Sequence, residues 1–188
     1  MKKQAAKKFT AEHAETAEEK NKINSAYSAV SAVRKNVVVI GLGNMLLSDE
    51  GIGVHIVRRL SSRQDKFPCV DFIDAGTGGM AVLHLIANRT KAVIIDCAKM
   101  GAKPGTLRRF TPDEAQSVKK LSQYSLHEQD ILQIINLSKQ LGECPKEIIV
   151  FGIEPESIEP GQNLSKTLAD KIDTYTAEIR KELAETIR

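Results

Sequence analysis

The sequence predicts an α/β protein: a three-layer α/β/α domain around a mostly parallel, twisted central sheet of about five strands, with one edge strand antiparallel. Three observations carry this expectation. Short runs of branched apolar residues recur along the chain, as in strands buried on both faces. Longer stretches between them space their apolar residues by three and four, the mark of helices with one buried stripe. The two kinds of segment alternate, which is the order that builds a parallel sheet covered on both sides. A chain of 188 residues suffices for one such domain and an appendage.

The domain is expected to open at Asn36. Val37-Val38-Val39-Ile40 is a continuous branched run suited to a central strand. A glycine-containing turn follows, then a helix over about 51–60 carrying Ile52, Ile56, Val57 and Leu60. Residues 69–73 read as the second strand, and Thr77 as the N-cap of a helix carrying Met80, Leu83, Leu85 and Ile86. Residues 92–95 make a third buried strand ending at Asp96. The Pro104-Gly105 turn leads into a strand over 106–110, expected at an edge and antiparallel. Ser125-Leu126-His127-Glu128 has the form of a capping box, so a helix should run from Leu126 to about Leu141 and bury Ile131, Leu132, Ile135 and Leu137. Residues 147–152 supply the last strand. A closing helix from about Leu164 aligns Leu168, Ile172, Tyr175, Ile179 and Leu183 on one stripe.

Residues 1–35 differ in kind. They are rich in Ala, Lys, Glu and Ser and poor in large apolar residues, so a flexible or marginally helical N-terminal extension without a catalytic part is expected. The net charge is only +3, with much of the surplus in two lysine pairs of this segment, and aromatics are 4% of the chain. A nucleic-acid binder would show a basic stripe interleaved with aromatics, so nucleic acid is not an expected partner. No apolar run approaches the roughly 20 residues that span a bilayer, and no apolar core follows the first lysines as in a secretory signal. Cys69, Cys97 and Cys144 are an odd, widely spaced set, which argues for a reducing compartment and against a disulfide framework. A cytoplasmic, membrane-free monomer is the expectation.

In an open α/β sheet, ligands bind beyond the carboxyl ends of the strands. Three stretches there carry polar residues: 41–53, 74–79 and Asp96, with His127 joining from a helix start. Gly41-Leu42-Gly43-Asn44 is half of a dinucleotide-binding motif, but the third glycine is missing and Asp49-Glu50 would repel a pyrophosphate. Asp49 reads as helix-start chemistry, where acids complement the macrodipole. Glu50 gains meaning only in combination with Asp96 and His127. A helix N-terminus favours the neutral, metal-binding imidazole at His127. His13, His55 and His84 read as solvated or packing residues. One glutamate, one aspartate and one histidine make a mixed site that suits nickel or zinc. Spacing alone does not show that the three converge. No serine or cysteine has an identifiable base partner, and Cys97 reads as a small buried side chain. A non-catalytic metal- or nucleotide-binding module that docks on a partner stays open as an alternative.

The string from Gly41 to Gly53, GLGNMLLSDEGIG, closely resembles the opening of the hydrogenase maturation endopeptidases. Asp74-Ala75-Gly76-Thr77-Gly78-Gly79-Met80, Ile94-Ile95-Asp96-Cys97, Ser125-Leu126-His127 and the segment 151–158 resemble that family's further motifs, in its order. The resemblance covers about residues 36–185 and identifies 36–188 as the protease domain. It implies removal of a C-terminal extension from the precursor of a nickel–iron hydrogenase large subunit, once nickel is inserted. By the same resemblance, Glu50, Asp96 and His127 fall on the metal-ligand positions. Nickel would arrive with the precursor, and zinc or cadmium could stand in for it. Asp74 and Asp49 are the candidates for a general base. Ala75 departs from the family's glycine, a departure that matters only if this position needs positive φ.

Overall fold

The computed structural model describes residues 36–62, 66–114 and 126–186; the side chains of 126–130 and of 186 are not described. The reading of residues 1–35, and Ser125 of the capping box, lie outside the described residues. The elements, in chain order, are β1 (Val37–Gly41), a 3-10 turn (Ser48–Gly51), α1 (Ile52–Ser61), β2 (Val70–Asp74), α2 (Ala81–Ile86), β3 (Lys91–Cys97), β4 (Leu107–Phe110), α3 (Leu126–Gln140), β5 (Glu147–Ile153), α4 (Lys166–Ala169) and α5 (Ile172–Thr186).

The sheet has five strands in the order β2-β1-β3-β5-β4. Three pairings are parallel: β1 with β2, β1 with β3, and β3 with β5 over its full length, from Lys91 opposite Glu147 to Cys97 opposite Ile153. β4 closes the edge antiparallel to β5, with Leu107 opposite Ile153. The α/β class, the strand number and the antiparallel edge therefore match the sequence expectation.

Side chains alternate across a strand, so each strand feeds two cores. Val37, Val39, Val93 and Ile95 pack with Ile52, Ile56 and Leu60 of α1 and Tyr175, Ile179 and Leu183 of α5. Val38, Ile40, Ala92 and Ile94 pack on the opposite face with Val82 and Ile86 of α2 and Ile131 and Ile135 of α3. Each such fully buried aliphatic side chain contributes about 1.5–3 kcal/mol.

Three expectations are corrected. Asp96 does not end its strand but lies inside β3, because pairing with β5 continues to Cys97. Thr77 caps no helix: α2 starts after Met80, without a side-chain cap, because Gly76, Gly78 and Gly79 carry positive φ and keep the preceding loop non-helical. The closing helix is two helices broken around Asp170-Lys171. Ser165 caps α4 by accepting from Leu168 N, which leaves Leu164 outside. Lys171 Nζ and Tyr175 Oη both donate to Gly105 O, at 3.1 and 2.9 Å, so the break is held against the turn leading into β4. Among the described residues no helix is long and apolar enough to cross a membrane.

Candidate active site

The carboxyl ends of β1 and β3 are joined by backbone packed on backbone. Leu42 N donates to Ile95 O at 2.9 Å. A Cβ on Gly53 would lie 2.3 Å from that same oxygen, and a Cβ on Gly43, whose φ is +133°, would lie 1.8 Å from Glu50 O. No side chain fits either gap. These glycines seat the Ser48–Gly51 turn against β3, one residue from Asp96. Close backbone approach thus accounts for them without a dinucleotide, and the acidic pair is held where a pyrophosphate would be repelled.

Asp49 and Glu50 are adjacent in sequence but differ in task. Asp49 is 0% exposed. Its Oδ2 accepts from Glu156 N at 2.9 Å and Ser157 N at 3.0 Å, and its Oδ1 accepts from Ser165 N at 2.7 Å. The segment after β5 is therefore stitched to the turn by a buried carboxylate, with Ser48 N donating to Gly161 O and Ser48 Oγ to Glu159 O in support. Helix-start chemistry is not its role, since α1 begins at Ile52 with Gly51 as its N-cap and no side-chain cap. Nor is a general base, since both oxygens are bonded and solvent does not reach them. Glu50 is half-buried in the same turn.

Asp96 is 2% exposed, and its Oδ1 accepts from Cys97 N at 2.8 Å. The pleat turns it toward the face of Ala92 and Ile94, whereas Cys97 faces the other core. Burial pushes the Cys97 thiol far up, and Asp96, Glu50, Asp49 and Glu154 push it further. Four carboxylates thus act on one thiol, which is held protonated and is no nucleophile, in line with its reading as a packing residue.

Asp74 ends β2. Its Oδ2 accepts from Arg58 Nε and Nη2 at 3.0 and 2.8 Å, and its Oδ1 accepts from Gly76 N at 3.0 Å. Its side chain stays 33% exposed, so water reaches it. Gly43 N donates to Gly76 O, and Ala75 N to Gly41 O, which tie this loop to the first. Positive φ falls on Gly76, Gly78 and Gly79 and not on Ala75, so the alanine fits without strain.

His127 lies in the first turn of α3, and its side chain is outside the described residues. Because α3 leads through a short connection into β5, parallel to β3, its N-terminus lies at the carboxyl end of the sheet. α3 packs on the face toward which Asp96 turns. Among the described residues, no three His, Cys, Asp or Glu side chains form a group that could hold a metal ion.

A family model described as hydrogenase maturation protease matches residues 54–182. The chain belongs to the hydrogenase maturation protease family. The hydrogenase 2 maturation protease of Escherichia coli is 34% identical over 154 residues, which are 80% of this chain and 92% of that one. The hydrogenase expression/formation protein HoxM of Cupriavidus necator is 31% identical over 123 residues, and the match spans 61% of its length. The solved structure of the hydrogenase maturating endopeptidase HybD from E. coli superposes with a TM-score of 0.71 at 30% identity, over 80% of this chain and 93% of that one. The hydrogenase maturation proteases are peptidases, hence hydrolases.

In this hydrogenase maturation protease Glu154, which has no role assigned from the sequence, is a buried fastener. Its Oε2 accepts from Met100 N at 2.6 Å and Ala102 N at 3.0 Å, which folds the β3–β4 connection back onto β5. The available signal was an acid directly after an apolar strand, the same signal that drew attention to Asp96.

Proposed function

We propose that this protease removes the C-terminal extension of a hydrogenase large-subunit precursor, and that Glu50, Asp96 and His127 recognise nickel carried by that precursor. The observation that carries the site is the packing of Gly43 on Glu50 O and of Gly53 on Ile95 O, which fixes the Glu50 turn one residue from Asp96. The α3 start supports the third member, since it lies at the same end of the sheet on the face of Asp96. Two carboxylates and an imidazole are a donor set that nickel accepts, and zinc or cadmium could replace it.

The metal is cargo of the substrate, and its chemistry when bound is to polarise the scissile carbonyl or an attacking water. The chain's own part is to orient the precursor on a rigid strand-end platform. Of the two base candidates, Asp49 is committed to three backbone N–H groups. Asp74 is reached by solvent and is the base in this scheme, with Arg58 and Gly76 holding its orientation. Asp49 is a positioning residue.

Mass spectrometry of a precursor before and after incubation tests the reading. The nickel-loaded precursor should lose its C-terminal extension and the nickel-free one should stay whole; equal cleavage of both removes nickel from recognition. His127→Ala should abolish processing while far-UV circular dichroism is unchanged, and full activity of that variant overturns the ligand assignment. Binding of the precursor without any mass change would favour a docking module.

A further inference from the structure

We infer that a cleft of about 380 Å³ beyond the ends of β3 and β5 receives a short peptide segment of the substrate at the same end of the sheet as Glu50 and Asp96, which deepens the proteolytic reading above and rests on it. One wall is Lys99 to Gly101 and the other is residues 155–158. Ala98 N donates to Ile153 O at 2.9 Å, so both walls leave the sheet side by side, with Lys99 three residues past Asp96.

Both walls are preformed. Glu154 Oε2 holds Met100 N and Ala102 N of the first, and Asp49 Oδ2 holds Glu156 N and Ser157 N of the second. This hydrogen bonding also decides what the cleft can take. Wall amides that point at buried carboxylates cannot cradle an anion. Asp49, Glu154 and Glu156 add negative charge that repels phosphate. A peptide is therefore favoured over a nucleotide or phosphorylated ligand. Met100, Pro155 and Ile158 offer apolar contact, while exposed Lys99 and Glu156 offer one charge of each sign at the rim. The cavity matches roughly a di- or tripeptide, at the small end of preformed ligand pockets.

The test uses the full chain and the nickel-loaded precursor. Lys99→Glu and Met100→Gln change the cleft and touch none of the acids or His127. Each should raise KM for the precursor about tenfold and leave kcat within twofold; a rise below threefold in both variants overturns the inference. In a second arm, p-benzoylphenylalanine replaces Lys99 and is irradiated with the precursor, and the crosslinked peptide is mapped. Attachment within a few residues of the cleaved bond, or of the C-terminus if no cleavage occurs, supports the cleft; attachment elsewhere, or none, overturns it. Wild-type protein that leaves the precursor whole sinks the proteolytic reading by itself, and the crosslink still decides the cleft.

Discussion

Removing the Asp49 carboxylate should loosen the segment after β5 before it unfolds the domain. Asp49 accepts three backbone N–H bonds from Glu156, Ser157 and Ser165 while wholly buried. A hydrogen bond to a charged group contributes about 1.5–3 kcal/mol net, so three bonds set a ceiling of about 4.5–9 kcal/mol. The donors sit in a surface segment that water can re-enter, so Asp49→Ala should lose about 3–5 kcal/mol, against a usual domain stability of about 5–15 kcal/mol. Asp49→Asn keeps one acceptor oxygen but turns its NH2 on one of the donors, and should lose about 2 kcal/mol. Urea unfolding followed by circular dichroism reads the loss, and hydrogen exchange reads its location. The amides of Glu156, Ser157 and Ser165 should exchange fast in Asp49→Ala, while those of β3 keep their protection relative to global stability. A loss below about 1 kcal/mol with these three amides still protected would falsify the clamp.

Three further outcomes follow from other contacts. Gly43→Ala must place a Cβ 1.8 Å from Glu50 O at a φ of +133°, so processing should fall at least tenfold; wild-type kcat/KM would show that the turn is not tightly seated. Burial raises the Glu182 carboxyl, but hydrogen bonds from Arg109 and Lys91 outweigh it and leave the group below the usual carboxylate range. A depressed acid stabilises above its unfolded value and loses that contribution as pH falls through the folded one. Glu182→Gln should therefore cost about 2–4 kcal/mol at neutral pH, because the buried Lys91 loses the carboxylate charge that faces it, and the gap to wild type in urea melts should close toward pH 3. Burial, and then Asp49, push the Tyr175 phenol up to about 12. Its unfolded form ionises near 10, so stability should decline as pH rises past about 10 in wild type and less steeply in Tyr175→Phe.

Elements whose signal is local were legible in the sequence. Branched runs marked β1, β3 and β5 because a strand buried on both faces needs nothing else. Boundaries set by tertiary contact were not legible. The stripe from Leu164 to Leu183 is continuous on paper, yet Gly105 O draws Lys171 and Tyr175 toward it and the helix breaks. Asp96 read as a strand end because an acid rarely sits inside a buried strand, and only pairing with β5 carries it inward. The site was half legible. Candidate residues can be named from strand-end positions, but the bonds that Asp49 makes depend on segments a hundred positions apart: nothing near Asp49 announces Glu156, Ser157 and Ser165 as its partners.

These bonds explain how several acids at one end of the sheet differ in task. Like charges brought together raise the energy of the fold unless something answers them. Asp49 is answered by three amides of one segment and Glu154 by two of another, so both act as fasteners whose charge fixes backbone. Burial, and then the carboxylates of Asp96, Glu50, Asp49 and Glu154, push the Cys97 thiol up. Under the proposed function, Glu50 and Asp96 supply the charge a visiting cation would meet. Replacing a fastener and replacing a reader should then differ in kind. Asp49→Asn should lower stability and precursor affinity together, whereas Glu50→Gln should cost less stability than Asp49→Asn and abolish discrimination between nickel-loaded and nickel-free precursor. If Glu50→Gln unfolds like Asp49→Asn and still discriminates, the two roles have been assigned the wrong way round.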